Sequence, residues 1–177
     1  MAALKVAIVI AVVTIAMLTQ LELDEDPLVV ERAVSIPSSK DKVFSYLADI
    51  ENMANWFPDV VSEQPFDNSK IGVGKRYYEQ IQLPIIGEKK AVLEITKYAP
   101  QKHAIVFESD HDWVLPRYEV KCIDHENENG KLRTKVIWKM YTRRRSYLYY
   151  GTVLQLLRLV MPDRTAGALF QLFYRFA

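Results

Sequence analysis

The pattern of hydrophobic positions separates an apolar leader from a longer and more regular remainder. Residues 1–23 contain 18 apolar positions, and residues 6–13 are apolar without interruption. Residues 4–23 match the roughly 20 residues that a helix needs to cross a bilayer. We therefore expect residues 1–23 to form a signal anchor or transmembrane helix, followed by a short acidic hinge at 24–27.

Two other interpretations of the leader stay open. A cleaved signal peptide has an apolar core of about 7–15 residues, but residues 17–21 offer no pattern of small residues for cleavage. A buried core helix is the third interpretation, although no polar face interrupts residues 6–13. The uncleaved anchor is the favoured one.

Charges on either side of the leader predict its orientation. Lys5 and the α-amine precede the apolar run, while acidic residues at 22 and 24–26 follow it. Because positive residues favour the cytosolic side, we expect a single-pass membrane protein whose domain is lumenal, extracellular or periplasmic. The alternative is a protein that is secreted after signal cleavage.

The segment after the hinge predicts a strand and two short helices. Residues 28–36 are rich in β-branched residues, which favour a strand. A serine at 38 or 39 is placed to cap a helix, and a second short helix is expected over residues 49–56. The first helix has one apolar face, formed by Val43, Phe44 and Leu47.

From residue 60 to residue 143 the hydrophobic period changes to two, with turn residues at spacings suited to antiparallel strands. Turns are expected at 84–87, 110–113 and 127–130. The last strand alternates most clearly. One face of it carries Leu132, Thr134, Val136, Trp138 and Met140, and the other carries Arg133, Lys135, Lys139 and Tyr141.

The C-terminal segment, about residues 147–176, predicts a helix that is more apolar than a surface helix requires. Pro162 is expected to kink or divide this helix, with Asp163 capping its second half. The predicted order is therefore a strand, two helices, about six strands and a long helix.

This order, and the opening segment in particular, resemble a known superfamily. Residues 29–60 read VVERAVSIPSSKDKVFSYLADIENMANWFPDV, in which a strand runs into a capped helix and a Trp-x-Pro end. The segment resembles the START-like (SRPBCC) superfamily, which includes polyketide cyclases and coenzyme-Q-binding START proteins. The resemblance implies an α+β helix-grip fold over residues 28–177, in which a curved antiparallel sheet grips the long C-terminal helix and leaves a cavity between them.

The implied cavity predicts which residues meet a ligand. A pocket for an apolar molecule needs mostly apolar and aromatic walls with a few polar groups for orientation. Each candidate has the alternative of being an ordinary core residue, and only the resemblance raises the set above that. The candidate walls are Trp56, Phe57, Tyr78, Tyr118, Trp138, Met140, Leu157 and Met161.

Motifs for catalysis or metal binding are scarce, so we assign no catalytic residue, no metal site and no cofactor. The three histidines are scattered, and the single cysteine, Cys122, has no second cysteine for a structural zinc site. His111 is expected in a solvated turn between two aspartates. If the chain were a cyclase, the polar groups available to it would include Arg76, Tyr78, Gln80 and His103.

The net charge of +1 hides an uneven distribution. Residues 24–130 carry 12 basic and 20 acidic side chains, whereas residues 131–177 carry 10 basic and 1 acidic. The basic run Arg143, Arg144 and Arg145, followed by tyrosines, is typical of a surface that meets anionic lipid headgroups. The alternative is a basic last strand that faces acidic neighbours such as Glu79, Glu94 and Glu119.

The favoured function is non-catalytic binding or transfer of a hydrophobic ligand, lipid-like or quinone-like, by a membrane-anchored domain. The expected partners are that small molecule and the membrane, and no nucleic acid. The alternatives are a polyketide-cyclase-like enzyme and an interaction domain whose cavity is filled by its own side chains.

Overall fold

The computed structural model describes residues 2–83, 87–126 and 130–177 of the chain. Two of the predicted turns, at 84–87 and 127–130, fall largely outside these ranges. Within these ranges the α-helices are α1 (Ala2–Gln20), α2 (Lys40–Ala48), α3 (Tyr147–Gly151) and α4 (Val153–Tyr174). The strands are β1 (Leu28–Ile36), β2 (Val60–Pro65), β3 (Arg76–Leu83), β4 (Gly87–Ala99), β5 (Ala104–Ser109), β6 (Pro116–Glu126) and β7 (Leu132–Thr142), and 3-10 turns occupy Ile50–Asn55 and Pro100–Lys102.

The seven strands form one curved antiparallel sheet in the order β1-β7-β6-β5-β4-β3-β2. Strands β2 to β7 are sequential neighbours, and β1 closes the far edge by pairing with β7. The sheet, the long C-terminal helix and the preceding short helices together make the helix-grip fold that the sequence predicted. The six strands after the two short helices also agree with the prediction.

The concave face of the sheet carries the main core. Trp138 is 1% exposed and lies 5.3 Å, centroid to centroid, from both Trp56 and Tyr118. Strand β7 alternates as predicted from Thr134 onward, whereas Leu132 at its start is exposed. Helix α2 covers the core with Val43, Phe44 and Leu47, and the following 3-10 turn ends just before Trp56.

Helix α4 is one continuous helix through Pro162, so the expected division at this proline is wrong. The break in the C-terminal segment falls at Thr152 instead, between α3 and α4. Both halves of α4 pack against the same sheet, Leu154 before the proline and Leu169 after it, and this packing holds the helix together. The Arg158 guanidinium adds two hydrogen bonds, of 3.1 and 2.9 Å, to the Leu28 carbonyl.

Helix α1 projects away from the domain, so the interpretation as a buried core helix is wrong. Its apolar stretch has a mean hydropathy of 2.1 over residues 3–20, and none of that stretch is buried. By length and composition the helix suits either a membrane anchor or a signal sequence.

The segment after α1 is held to the domain rather than hanging free. The Leu23 N–H donates to the Arg145 carbonyl at 2.9 Å, and the Tyr147 N–H donates to the Leu21 carbonyl at 3.0 Å. The Arg145 guanidinium lies 3.2 Å from the Glu22 carboxylate. The base of α1 is therefore attached beside the start of α3.

Candidate ligand-binding cavity

An apolar cavity of about 410 Å³ lies between the concave face of the sheet and the first half of α4. Strands β3, β6 and β7 supply one side, and the loop between β5 and β6 supplies another. Its aromatic and aliphatic walls include Met53, Phe57, Val60, Ile81, Val114, Tyr118, Met140, Val153, Leu157 and Met161.

Five of the eight residues expected from the sequence line this cavity. They are Phe57, Tyr118, Met140, Leu157 and Met161. Trp56 and Trp138 lie behind the wall, packed edge to face in the core with 4% and 1% exposure.

Tyr78 lies on the opposite face of the sheet, which removes it from the cavity walls. It is 55% exposed and stacks on Phe66 with ring centroids 3.8 Å apart. Alternation along β3 explains the difference, because Tyr77 and Glu79 point inward and their neighbours point outward. Arg76, Tyr78 and Gln80 do share a face, as expected, but it is the outer one.

Three polar groups that sequence reasoning did not select reach the cavity wall. Asp59 and Arg164 form an ion pair there, joining the segment before β2 to α4. Glu79 is 3% exposed and accepts a 2.5 Å hydrogen bond from the Ser109 hydroxyl. The sequence does contain a pattern that indicates the position of Glu79. It lies two residues from both Tyr77 and Ile81 in β3, so it belongs to the more apolar face of that strand.

Glu79 therefore does not stand on the wet sheet face where the charge pattern placed it. Burial raises its pKa from an ordinary 4.5 to about 7, and burial also raises the pKa of the neighbouring Glu63 to about 9. Other acidic residues lie beside the basic residues on the solvent-exposed face of β7. Lys139 pairs with Glu31 at 3.1 Å, and Glu119 lies opposite Lys139 in the sheet register.

His111 is buried at the cavity wall, so the expectation of a solvated turn is wrong for this side chain. It is 6% exposed, and burial lowers its pKa, which leaves the imidazole neutral at pH 7. The loop that carries it is held by hydrogen bonds to its backbone carbonyls. The Leu115 N–H donates to the His111 carbonyl at 2.8 Å, and the Thr142 hydroxyl donates to the Val114 carbonyl at 2.5 Å.

Large apolar side chains at one end of the cavity face both the cavity and solvent. Trp113 is 58% exposed, Leu156 is 64% exposed and Val160 is 52% exposed, and all three line the cavity. Leu159 on the same helix is 75% exposed. We call Trp113, Leu156 and Val160 the entrance patch.

The three consecutive arginines lie close to this end but differ in their contacts. Arg143 lies 3.1 Å from Glu108 and donates to the Ser109 carbonyl at 2.7 Å. Arg144 donates to the Asp112 carbonyl, next to Trp113, and Arg145 pairs with Glu22 below α1. These contacts tie the loop, the end of β7 and the base of α1 together.

The remaining polar candidates from the sequence are engaged elsewhere. The His103 ring nitrogen lies 2.5 Å from the Asp41 carboxylate on the far side of the core. Burial raises the pKa of the Cys122 thiol to about 12, which makes it unreactive. Among the described residues, no group of three His, Cys, Asp or Glu side chains is arranged to hold a metal.

A second hollow, of about 450 Å³, is lined by Tyr78, Lys89, Lys90, Asp110 and their neighbours at the outer side of the sheet. Four of its lining residues are charged, Lys89, Lys90, Asp110 and Asp112, so it suits an apolar ligand less well than the smaller cavity does. We take the smaller apolar cavity as the candidate site.

Comparison with known families supports the same fold. A family profile described as polyketide cyclase/dehydrase and lipid transport matches residues 27–168. The chain belongs to this family. The match begins just before β1 and ends within α4, so it leaves α1 outside the family region.

Solved structures of the same fold are distant in sequence. A Thermus thermophilus protein is 17% identical, with a TM-score of 0.62, covering 85% of this chain and 97% of its own. A Thermobifida fusca protein is 15% identical, with a TM-score of 0.61, covering 83% and 91%. The Zhui aromatase/cyclase from a Streptomyces species is 13% identical, with a TM-score of 0.62, covering 82% and 91%. A search of curated proteins finds no match.

Proposed function

We propose that this family member binds or transfers a hydrophobic ligand, lipid-like or quinone-like, in its cavity without catalysing a reaction. The observation that carries the proposal is the 410 Å³ apolar cavity, since small-molecule sites have volumes of about 300–1,000 Å³ and mostly apolar walls. An open cavity also argues against an interaction domain filled by its own side chains. The lipid transport in the family description agrees with this function.

The proposal places the domain on a membrane, anchored by α1. A helix of 19 residues spans roughly 28 Å, close to the thickness of a hydrocarbon core. The base of α1 is bonded to the start of α3, and α3 leads directly into the half of α4 that lines the cavity. We propose that the entrance patch meets the same bilayer, on its lumenal, extracellular or periplasmic side.

The proposed membrane surface includes the arginines that the sequence singled out. Arg144 is exposed beside Trp113, and Arg145 lies under α1, where headgroups would surround it. Each cation near an anionic leaflet contributes about 1 kcal/mol of attraction. Arg143 and Arg145 contribute less in this proposal, because Glu108 and Glu22 already pair with them.

Filling the cavity from α4 tests the binding function. Leu157→Trp replaces a side chain that lines the cavity with a bulkier indole ring. Leu159→Trp makes the same change at an exposed position on the same helix. With the full chain in nanodiscs, we expect Leu157→Trp to weaken binding of 2-ethylnaphthalene about tenfold or more, because the ring occupies the volume that the probe needs.

Isothermal titration calorimetry against empty nanodiscs gives the measurement, and the Leu159→Trp variant should bind the probe as the wild type does. Equal binding by the two variants would contradict the proposed cavity, as would wild-type protein that binds none of the probe.

A cyclase-like enzyme is the second candidate, and the buried Glu79 at the cavity wall is the observation that favours it. A carboxyl with a raised pKa is suited to proton transfer near neutral pH. Conversion of a linear poly-β-keto thioester to a cyclised product, followed by mass spectrometry and lost in Glu79→Leu, would favour the enzyme over the binding module.

A further inference from the structure

Two carboxyl groups face each other on the concave side of the sheet, where apolar residues would ordinarily lie. Glu63 in β2 is the register partner of Glu79 in β3, and the two are 5% and 3% exposed. Neither carboxyl oxygen of Glu63 has a hydrogen-bond partner among the described residues. Burying such groups destabilises a fold by several kcal/mol unless they are paired or protonated, so the position of Glu79 at the cavity wall points to a role there.

Glu79 has the geometry of a ligand-contacting group. It lines the cavity, and its Oε2 accepts the 2.5 Å hydrogen bond from Ser109 at the end of β5. Ser109 is itself fully buried, and its carbonyl accepts from Arg143, so the hydroxyl has a fixed position. With Oε2 engaged and the carboxyl oriented, Oε1 is the oxygen left for a group inside the cavity.

The pair holds a proton at neutral pH, because two adjacent carboxylates in an apolar site cannot both ionise. Burial raises the pKa of both groups, and the pKa of Glu63 is raised further by Glu79. The titratable groups that face the pair from the elements around it are Asp59 before β2, Asp110 and His111 after β5, Tyr118 in β6 and Arg164 in α4.

The charges of these neighbours do not favour ionised carboxyls, since the negative charge of Asp110 raises the pKa of Glu79 and the other charges cancel. Arg164 cancels Asp59 in their ion pair, and His111 is uncharged because burial lowers its pKa. A protonated carboxyl is a hydrogen-bond donor, so it suits a carbonyl oxygen on the ligand. A ligand with an ammonium group would instead need ionised carboxylates at this site. The burial of Glu63 and Glu79 disfavours that ionisation.

We propose that Glu79, oriented by Ser109 and backed by Glu63, is a polar subsite that selects apolar ligands carrying a carbonyl oxygen. The inference rests on the proposed binding function, which it narrows to ketone-like or quinone-like molecules. The protonated carboxyl of Glu79 donates a hydrogen bond to the ligand oxygen, and no covalent bond forms or breaks.

A matched pair of probes isolates the carbonyl contact. The probes are 2-acetylnaphthalene and 2-ethylnaphthalene, which have nearly the same size and differ in one carbonyl group. For the full chain in nanodiscs at about pH 6, where Glu79 is protonated, we expect the ketone to bind about fivefold more tightly, equivalent to about 1 kcal/mol for one neutral hydrogen bond. The preference should disappear as the pH rises through the pKa of Glu79, about 7, because the carboxylate cannot donate.

Three variants identify the donor. Glu79→Gln keeps an amide donor without a titrating proton, so the ketone preference should persist at all pH values in the range. Glu79→Leu should abolish the preference and keep the hydrocarbon probe bound. Glu94→Gln, on the exposed face of β4, is the matched control and should behave as the wild type.

The outcomes separate this inference from the function on which it rests. Equal binding of the two probes at about pH 6 by the wild type, or a preference that survives Glu79→Leu, overturns the carbonyl subsite and leaves the binding function standing. Failure of both probes to bind the wild type overturns the binding function and the subsite with it.

Discussion

Glu63 is a buried side chain whose ionisation would destabilise the fold. Its two unpaired oxygens and its 5% exposure mean that the folded state favours the protonated form. The unfolded chain, in which the group has an ordinary pKa near 4.5, releases that proton at much lower pH. The protein should therefore lose stability as the pH rises through this range.

Replacing Glu63 by Gln should stabilise the protein at neutral and alkaline pH. The folded-state pKa is raised to about 9, so the wild-type stability is fully present below pH 4.5 and is lost as the pH rises toward 9. We expect Glu63→Gln to remove this loss and to raise the free energy of unfolding by about 1–3 kcal/mol near pH 8. Urea unfolding of the full chain in detergent, at several pH values, measures the difference.

Glu94→Gln serves as the control, because Glu94 is exposed and its loss should leave the pH dependence of stability unchanged. A Glu63→Gln curve that runs parallel to the wild-type curve from about pH 5 to about pH 9 would contradict the protonated pair.

At the scale of elements, α4 is one continuous helix whose two halves have different surroundings. We call residues 153–161 its lid half, because they cover the cavity. Its first half lines the cavity through Val153, Leu157 and Met161, and its second half packs into the main core through Leu169 and Leu172. Pro162 lies where the two halves meet. Because proline has no N–H, the carbonyl of residue 158 lacks its helical partner there, and we expect the first half to open more readily than the second.

Pro162→Ala should therefore stiffen the lid half of α4. The alanine restores the missing hydrogen bond and favours helix, so amide exchange over residues 153–161 should slow several-fold. Hydrogen–deuterium exchange with mass spectrometry measures this, and residues 165–172 serve as the internal reference, because Thr165, Ala168, Leu169 and Leu172 are buried already. Unchanged or faster exchange over residues 153–161 would count against a hinge at this proline.

Elements were easier to predict from the sequence than the site was. The period of two over residues 60–143 fixed the strands, and the apolar spacing of Val43, Phe44 and Leu47 fixed α2, because local periodicity decides both. The face of β3 was not decided by its alternation alone, so Tyr78 was assigned to the cavity and Glu79 to the wet face. Whether α4 breaks at Pro162 depends on how the helix packs against the sheet. The local tendency of proline to break a helix does not take that packing into account.

At the scale of the whole molecule, the attachment of α1 orients the cavity toward the membrane in our proposal. The pairing of Arg145 with Glu22 and the bond between Leu23 and Arg145 fix the base of the anchor next to α3. The entrance patch has three large apolar side chains that are more than half exposed. In this proposal the lipid tails give these side chains an apolar environment.

The position of Trp113 tests this orientation. Trp56 and Trp138 are 4% and 1% exposed, whereas Trp113 is 58% exposed in the entrance patch. For the full chain in vesicles of brominated phosphatidylcholine and anionic lipid, we expect strong quenching of the Trp113 emission and little quenching in Trp113→Phe. Arg144→Ala should reduce the quenching, because one contact with the headgroups is lost. Wild-type fluorescence that brominated lipid leaves unquenched would show that the entrance patch faces water.

The content of the cavity in protein taken from native membranes tests the central claim most directly. Native mass spectrometry of the full chain, released from detergent, should show the wild type and Leu159→Trp carrying a small apolar molecule, and Leu157→Trp lacking it because its cavity is filled. The bound molecule should carry a carbonyl group. Wild-type protein that is empty, or that carries the same molecules as Leu157→Trp, would contradict a ligand-binding cavity between the sheet and α4.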